Sequence, residues 1–398
     1  MKWILLIDKF VLILFILLIP LAVLEGGRRT SDNSVVRDTN IEESNLSEFE
    51  LSKPLDERES ITFIMGEDFG EDESFFKDAK DYYLFNKDEK TDYLVEDKRT
   101  LLEVRDYLES NPPDNGMPWG IINLVSHSNK WTGLAFLIAP DSEKTNKFSL
   151  REAIDNGKIR SLSDGIIDSI SEIRIQSCAL GYQGNLLALI GEALGGENDK
   201  QRPIVRASYG HTVYTIERDG EKVLKCEKNI ALGWYAVYKY DSQPSIMDLA
   251  IMLKDNNPGV PIDWFSALKR ENPRWPDEPF RHIITIPLSW TVTYSNDNER
   301  PVLKTEQEKK EWLDSQEEFL SYIEKTGLPY DFFEWTISDI EYEWDDKTKE
   351  PAICAYGKIK VVSVLKFATK PHPQNPNRIM FLKPDLDDDR FYKTIYPK

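Results

Sequence analysis

Histidine and cysteine are scarce in this chain, four of the first and three of the second in 398 residues. Cys178, Cys226 and Cys354 are too few for a disulfide framework. They leave two arrangements open: three unpaired thiols, or one Cys226–Cys354 bridge with Cys178 free. No Cys/His cluster has zinc-ligand spacing, so no metal is expected. No glycine-rich phosphate loop occurs, and no serine has a nucleophile-elbow context. No cofactor is therefore expected, and any chemistry falls to side chains. Basic excess is missing as well. The formal charge is −19 and the pI about 4.8, the wrong sign for a nucleic-acid backbone, so nucleic acid is excluded as a partner. No repeat of solenoid period is visible.

Apolar residues make up 40% and aromatics 11%, a globular composition, and the length suits two domains. Lys2 precedes an apolar stretch from Phe10 to Leu24, interrupted by Pro20. Residues 1–24 read as a signal peptide or an N-terminal membrane anchor. Gly26-Gly27 offers small residues for cleavage but no A-x-A site, and no cysteine follows for lipid attachment. The expectation is an exported protein of the periplasm or cell surface, in contact with membrane through this segment if it is kept. Residues 25–59 are polar, with little periodicity, and read as a flexible linker.

From residue 60 to 255 the pattern is α/β. Short apolar runs alternate with amphipathic stretches: Ile61–Met65, Tyr93–Val95, Trp119–Val125, Ile173–Ile175 and Pro203–Ser208 as strands, and helices after Thr100 and from Gln183 to Leu194. That alternation predicts a mostly parallel sheet with helices on both faces. Asp219-Gly220 marks a hairpin. A proline-rich connection occupies 256–280. Residues 281–398 read as a β-rich, sandwich-like module. Ile284 to Tyr294 alternate with period two, and the phase slip at Ser338-Asp339 predicts a β-bulge. Thr305-Glu306-Gln307-Glu308 opens one inserted helix running to about Lys325.

Two strand-like runs end on groups that do chemistry. Ile121–Val125 closes on Ser126-His127, and Glu172–Ile175 closes on Gln176-Ser177-Cys178. Parallel neighbours would bring thiol and imidazole to one rim of the sheet. A helix starting just after Cys178 would favour the thiolate through its first amides. His127 would act as acid or base. His211 could reach the same rim or serve in a loop.

These residues resemble the caspase, gingipain and clostripain superfamily of cysteine peptidases. The matching pieces are the strand closing on Ser126-His127-Ser128 and the later strand closing on Gln176-Ser177-Cys178-Ala179-Leu180-Gly181. His127 and Cys178 stand 51 residues apart in the chain, close to the separation of about 50 in caspases. The resemblance spans roughly Ile61 to Tyr240. It implies a caspase-like fold, a His127/Cys178 dyad, an oxyanion site from the Ser128 and Cys178 amides, and a protein or peptide substrate. A β-sandwich after the peptidase domain also suits exported bacterial members. Ser128 departs from the family, which usually has glycine there, and the family's specificity arginine has no secure counterpart. Gln176, Arg206 and, in the acidic loop after the first strand, Asp68 are candidates for contacting substrate. The expected activity is endopeptidase. The competing expectations are a catalytically silent surface scaffold of the same fold, or a β module that itself binds glycan or protein.

Overall fold

A computed structural model describes residues 54–65, 74–89, 91–140, 144–195, 201–345 and 348–397. The expected signal or anchor segment, most of the linker and Asp68 lie outside the described residues. The linker's last residues are already folded. The Arg58 side chain is 2% exposed and pairs with Asp168 at 2.8 Å, so this part of the expected linker is built into the domain. Among the described residues no helix is long and apolar enough to cross a membrane.

The chain alternates as its periodicity dictates. β1 (Ser60–Ile64) is followed by α1 (Ser74–Phe85), β2 (Tyr93–Val95), α2 (Leu101–Ser110) and β3 (Ile121–Val125). α2 begins where a capping box fixes it: Thr100 accepts from the Glu103 amide while Glu103 accepts from the Thr100 amide. A short antiparallel pair follows, β4 (Ser128–Asn129) and β5 (Gly133–Leu134), then α3 (Lys147–Asp155), β6 (Glu172–Gln176), α4 (Gly184–Leu194) and β7 (Ile204–Ser208). A hairpin of β8 (His211–Asp219) and β9 (Lys222–Tyr238) turns at Gly220-Glu221, as the Asp-Gly signal predicts. Next come α5 (Ile246–Asn256), α6 (Trp264–Leu268), β10 (Phe280–Thr293), α7 (Glu306–Asp314), α8 (Glu317–Thr326), β11 (Glu334–Asp345) and β12 (Thr348–Phe367). A small hairpin, β13 (Thr369–His372) with β14 (Asn375–Phe381), leads to β15 (Tyr392–Ile395).

The first sheet runs β15-β7-β6-β3-β1-β2. Its five inner-chain strands are parallel, and β15 adds antiparallel to β7. The chain steps from β1 to β2 on one side and then crosses to β3 on the other. That makes the β1/β3 boundary a topological switch point, with the usual ligand crevice outside the carboxyl ends of the strands. One face of the sheet, carrying Ile61, Phe63, Ile122, Leu124, Ile173 and Ile175, packs on α2, α3 and α4 in a single apolar core. Ile64 and Val125 on the other face pack under α1 and β8, against Tyr82, Tyr83 and Tyr214.

The second sheet runs β10-β12-β9-β8, with β11 also beside β12. It corrects four expectations. Helices, not a second sheet, cover its faces: α7 and α8 on the side of Ile359 and Val361, α5 and α6 on the side of Val362 and Val364. The alternation seen in the sequence is a sheet between helix pairs rather than a sandwich. The single inserted helix is two helices. Ser315 bonds back to the Glu311 and Trp312 carbonyls, and Gln316 leaves helical geometry (φ −84°, ψ 85°). The register passes unbroken through Ser338↔Cys354 and Asp339↔Ile353 and shifts only between Glu343 and Asp345. The phase change at Ser338-Asp339 is a change in which face is apolar, not a bulge. The connection at 256–280 does not divide the sheets either. β8 and β9 precede it yet belong to the second sheet, and β15 follows it yet belongs to the first.

Candidate active site

His127 and Cys178 extend two strands that are hydrogen-bonded neighbours. β3 and β6 pair in parallel as far as Val125↔Gln176, and the Ser126 amide donates to the Gln176 carbonyl at 3.2 Å. Adjacent strands lie about 4.8 Å apart. The closeness persists beyond them, because Ser128 Oγ donates to the Cys178 carbonyl at 2.6 Å. Ser128, the departure from the family pattern, thus fastens the two strand ends together. Parity does the rest: Ile173 and Ile175 face the apolar core, so Gln176 and Cys178 face the other way. Leu124 faces the core, so Val125 and His127 do not. Both groups emerge on the face that α1 and β8 cover.

The turn after Cys178 is strained. Ala179 has φ 57° and ψ 21°, the one non-glycine residue with positive φ among the described residues. Such a conformation costs about 1–2 kcal/mol for an L-residue. It is held by the Ala179 amide donating to the Gly210 carbonyl at 2.9 Å and by Thr212 Oγ1 donating to the Ser177 carbonyl at 3.1 Å. Gly181 then passes so close to β7 that a Cβ would stand 2.9 Å from the Ser208 carbonyl carbon and the Tyr209 amide. The sequence chooses glycine where the turn meets the next strand end.

Among the described residues, the His127 ring meets aromatic side chains. The His127 ring lies 4.8 Å from Phe75 and 5.1 Å from Phe76, both in the first turn of α1. Cys178 retains partial solvent access, yet the protein packed around it pushes the thiol up to about 12; the Thr212 amide, donating toward the sulfur, opposes that rise. α4 starts six residues later, after a 3-10 turn at Leu180–Tyr182, so its first amides do not serve the sulfur as expected. No described group accepts a hydrogen bond from the Cys178 amide, which is what an oxyanion donor requires.

The remaining residues sort clearly. His211 is 5% exposed, its Nε2 stands 2.9 Å from the Tyr235 hydroxyl, and burial pushes its pKa down to about 3. The ring of His282 on β10 is 6.1 Å from that of His211. The packing around His282 and the nearby His127 both hold its pKa below the ordinary value. Three of the four histidines therefore gather near Cys178, with Tyr235 between. Arg206 is turned inward and committed to internal partners. It is 7% exposed and donates to Glu172, the Leu386 carbonyl, Asp387 and Thr394. Gln176 is 6% exposed within the covered face of the sheet and is likewise out of reach. Asp68 lies outside the described residues. Cys226 and Cys354 are both free, which removes the bridge from consideration.

Nothing among protein-family models, curated proteins or solved structures matches this chain. Sequence reasoning missed Tyr235 and His282, which reach the rim from the second sheet. A polar residue at the start of an alternating strand was the one available signal for His282. Among the described residues no cluster of His, Cys, Asp and Glu is arranged to hold a metal ion.

Proposed function

We propose that this protein is a caspase-like cysteine endopeptidase, exported and membrane-tethered where its N-terminal segment is retained. Cys178 Sγ attacks the scissile carbonyl and passes its proton to His127. His127 returns that proton to the leaving amine. Water, deprotonated by the same imidazole, then attacks the thioester and regenerates the thiol. The observation that carries this reading is the pair of adjacent parallel strands ending on His127 and Cys178, facing the same way and fastened by the Ser128–Cys178 hydrogen bond. The strained Ala179 turn, and a Cys178 amide that donates to no described group, suit an oxyanion site. The test is covalent labelling with a thiol-directed acyl probe. Cys178→Ala is expected to abolish it and His127→Ala to reduce it strongly. Equal labelling of the Cys178→Ala variant sinks the assignment, since Cys226 and Cys354 would then be its source.

One observation favours a second reading, a catalytically silent scaffold of the same fold: burial pushes the Cys178 thiol up to about 12, which keeps it protonated at neutral pH. Alkylation rate against pH separates the two. A working dyad alkylates near neutral pH, because proton transfer to the imidazole supplies the thiolate. A silent one reacts only as the thiol itself titrates.

A further inference from the structure

A groove of about 510 Å³ opens beside the loops that follow His127 and Cys178, within the size range of ligand sites. It is formed by residues 130–132 after the histidine, residues 181–185 after the cysteine, the end of α8 and the start of β15. Four lysines line it: Lys130, Lys147, Lys325 and Lys393. No aspartate or glutamate does, and none of the four lysines forms an ion pair with a described residue. In a chain with 69 acidic residues against 50 basic ones, four unpaired lysines converging on one concavity are a concentrated positive field.

The walls add two more features. Lys130, on the groove wall, sits over the rings of Trp131 at 4.7 Å and Tyr235 at 4.2 Å. The Gln183 side chain donates to the Lys130 and Trp131 carbonyls instead of capping α4. The first turn of α4, at Gly184 and Asn185, therefore faces the groove with its amides uncapped, a further preference for negative charge. The exposed Tyr182 gives the rim an apolar, hydrogen-bonding surface of the kind that seats polypeptide.

We propose that this groove binds an acidic segment of polypeptide, seating its carboxylates on the four lysines and its backbone along the aromatic rim. Binding here does not require Cys178 to react, so the groove is an anchoring site alongside the proposed dyad whether or not peptide bonds are cut. The experiment uses the full chain carrying Cys178→Ala, which keeps hydrolysis out of the measurement, and follows fluorescence anisotropy of a labelled oligo-glutamate peptide. Saturable binding that weakens with added salt is expected. Lys147→Glu with Lys325→Glu should weaken it by at least about tenfold, the scale of two reversed partly solvated charges. Lys254→Glu with Lys310→Glu changes net charge equally on exposed lysines elsewhere and should leave it unchanged. Absence of saturation, or equal weakening by the two double variants, overturns the proposal. So does complete displacement of the peptide by equimolar inorganic phosphate, which would make this a small-anion site.

Discussion

The two faces of the parallel sheet come from the same strands and differ in every second residue. Ile122, Leu124, Ile173, Ile175 and Val205 point one way and vanish into a core with α2, α3 and α4. Asn123, Glu172, Arg174, Gln176 and Arg206 point the other way. There Arg206 meets Glu172 and Asp387, Arg174 meets Glu172 at 2.7 Å, and Asn123 donates to Thr62 at 3.1 Å. The apolar face is closed by local helices of the same α/β run. The polar face is closed by α1 together with elements from farther along the chain, β8, β9 and the segment around Leu386 and Asp387 that leads into the C-terminal strand. Stability of the first kind rests on burial alone. The second kind needs each polar group to find its partner, so it joins distant pieces and surrounds the site.

The largest effects should tell the faces apart. Leu124→Ala removes a fully buried side chain and should cost about 2–5 kcal/mol in urea unfolding, with the C-terminal strand still resistant to protease. Arg206→Ala should cost about 3 kcal/mol, since a buried carboxylate loses a partner though Arg174 still serves Glu172. That variant should also release residues 386–395 to early proteolytic cleavage. Equal protection of the tail in both variants would erase the distinction.

A smaller effect is acid sensitivity. His211 is held neutral when folded, its pKa depressed to about 3, while the unfolded chain titrates near the ordinary value of about 6.5. The unfolded state therefore binds the extra proton between those limits. The contribution is intact above about 6.5 and is lost as pH falls toward 3, by up to about 1.4 kcal/mol per unit. Unfolding free energies at pH 7 and 5 should differ by about 2 kcal/mol more in the parent than in His211→Gln. Parallel slopes would detach this histidine from the polar face's stability.

The smallest effect concerns backbone strain. Ala179→Gly should stabilise by up to about 1 kcal/mol, because glycine accepts positive φ without penalty. Ala207→Gly, on the apolar face of β7, should destabilise by a similar amount, about 1 kcal/mol. A melting temperature that falls for both would mean that Ala179's methyl packing outweighs its strain.

Much of this arrangement is legible in residue order. Apolar runs ending on Ser126-His127 and on Ser177-Cys178 mark strand ends, and parity along a strand fixes which residues share a face. Capping boxes at Thr100–Glu103 and Thr305–Glu308 locate helix starts to the residue. What escapes is partnership over distance. Nothing local to Arg206 announces Asp387, 181 positions later, or says that an arginine near a strand end is committed inside the protein. Tyr235 and His282 look like ordinary strand residues until the second sheet is laid against the first. Helices were likewise invisible as the cover of β12, because alternation records that a face is buried but not by what.

Pairing of Tyr392–Ile395 with Ile204–Ser208 has a consequence for biogenesis. A ribosome delivers the acceptor edge of β7 nearly 190 residues before its antiparallel mate. Throughout that interval the nascent chain carries an open strand edge and an arginine awaiting its acceptors, a state that invites holdase binding or mispairing between chains. Sheet closure must therefore be a late and slow step of maturation, set by the arrival of the last strand rather than by the speed of the α/β run that precedes it.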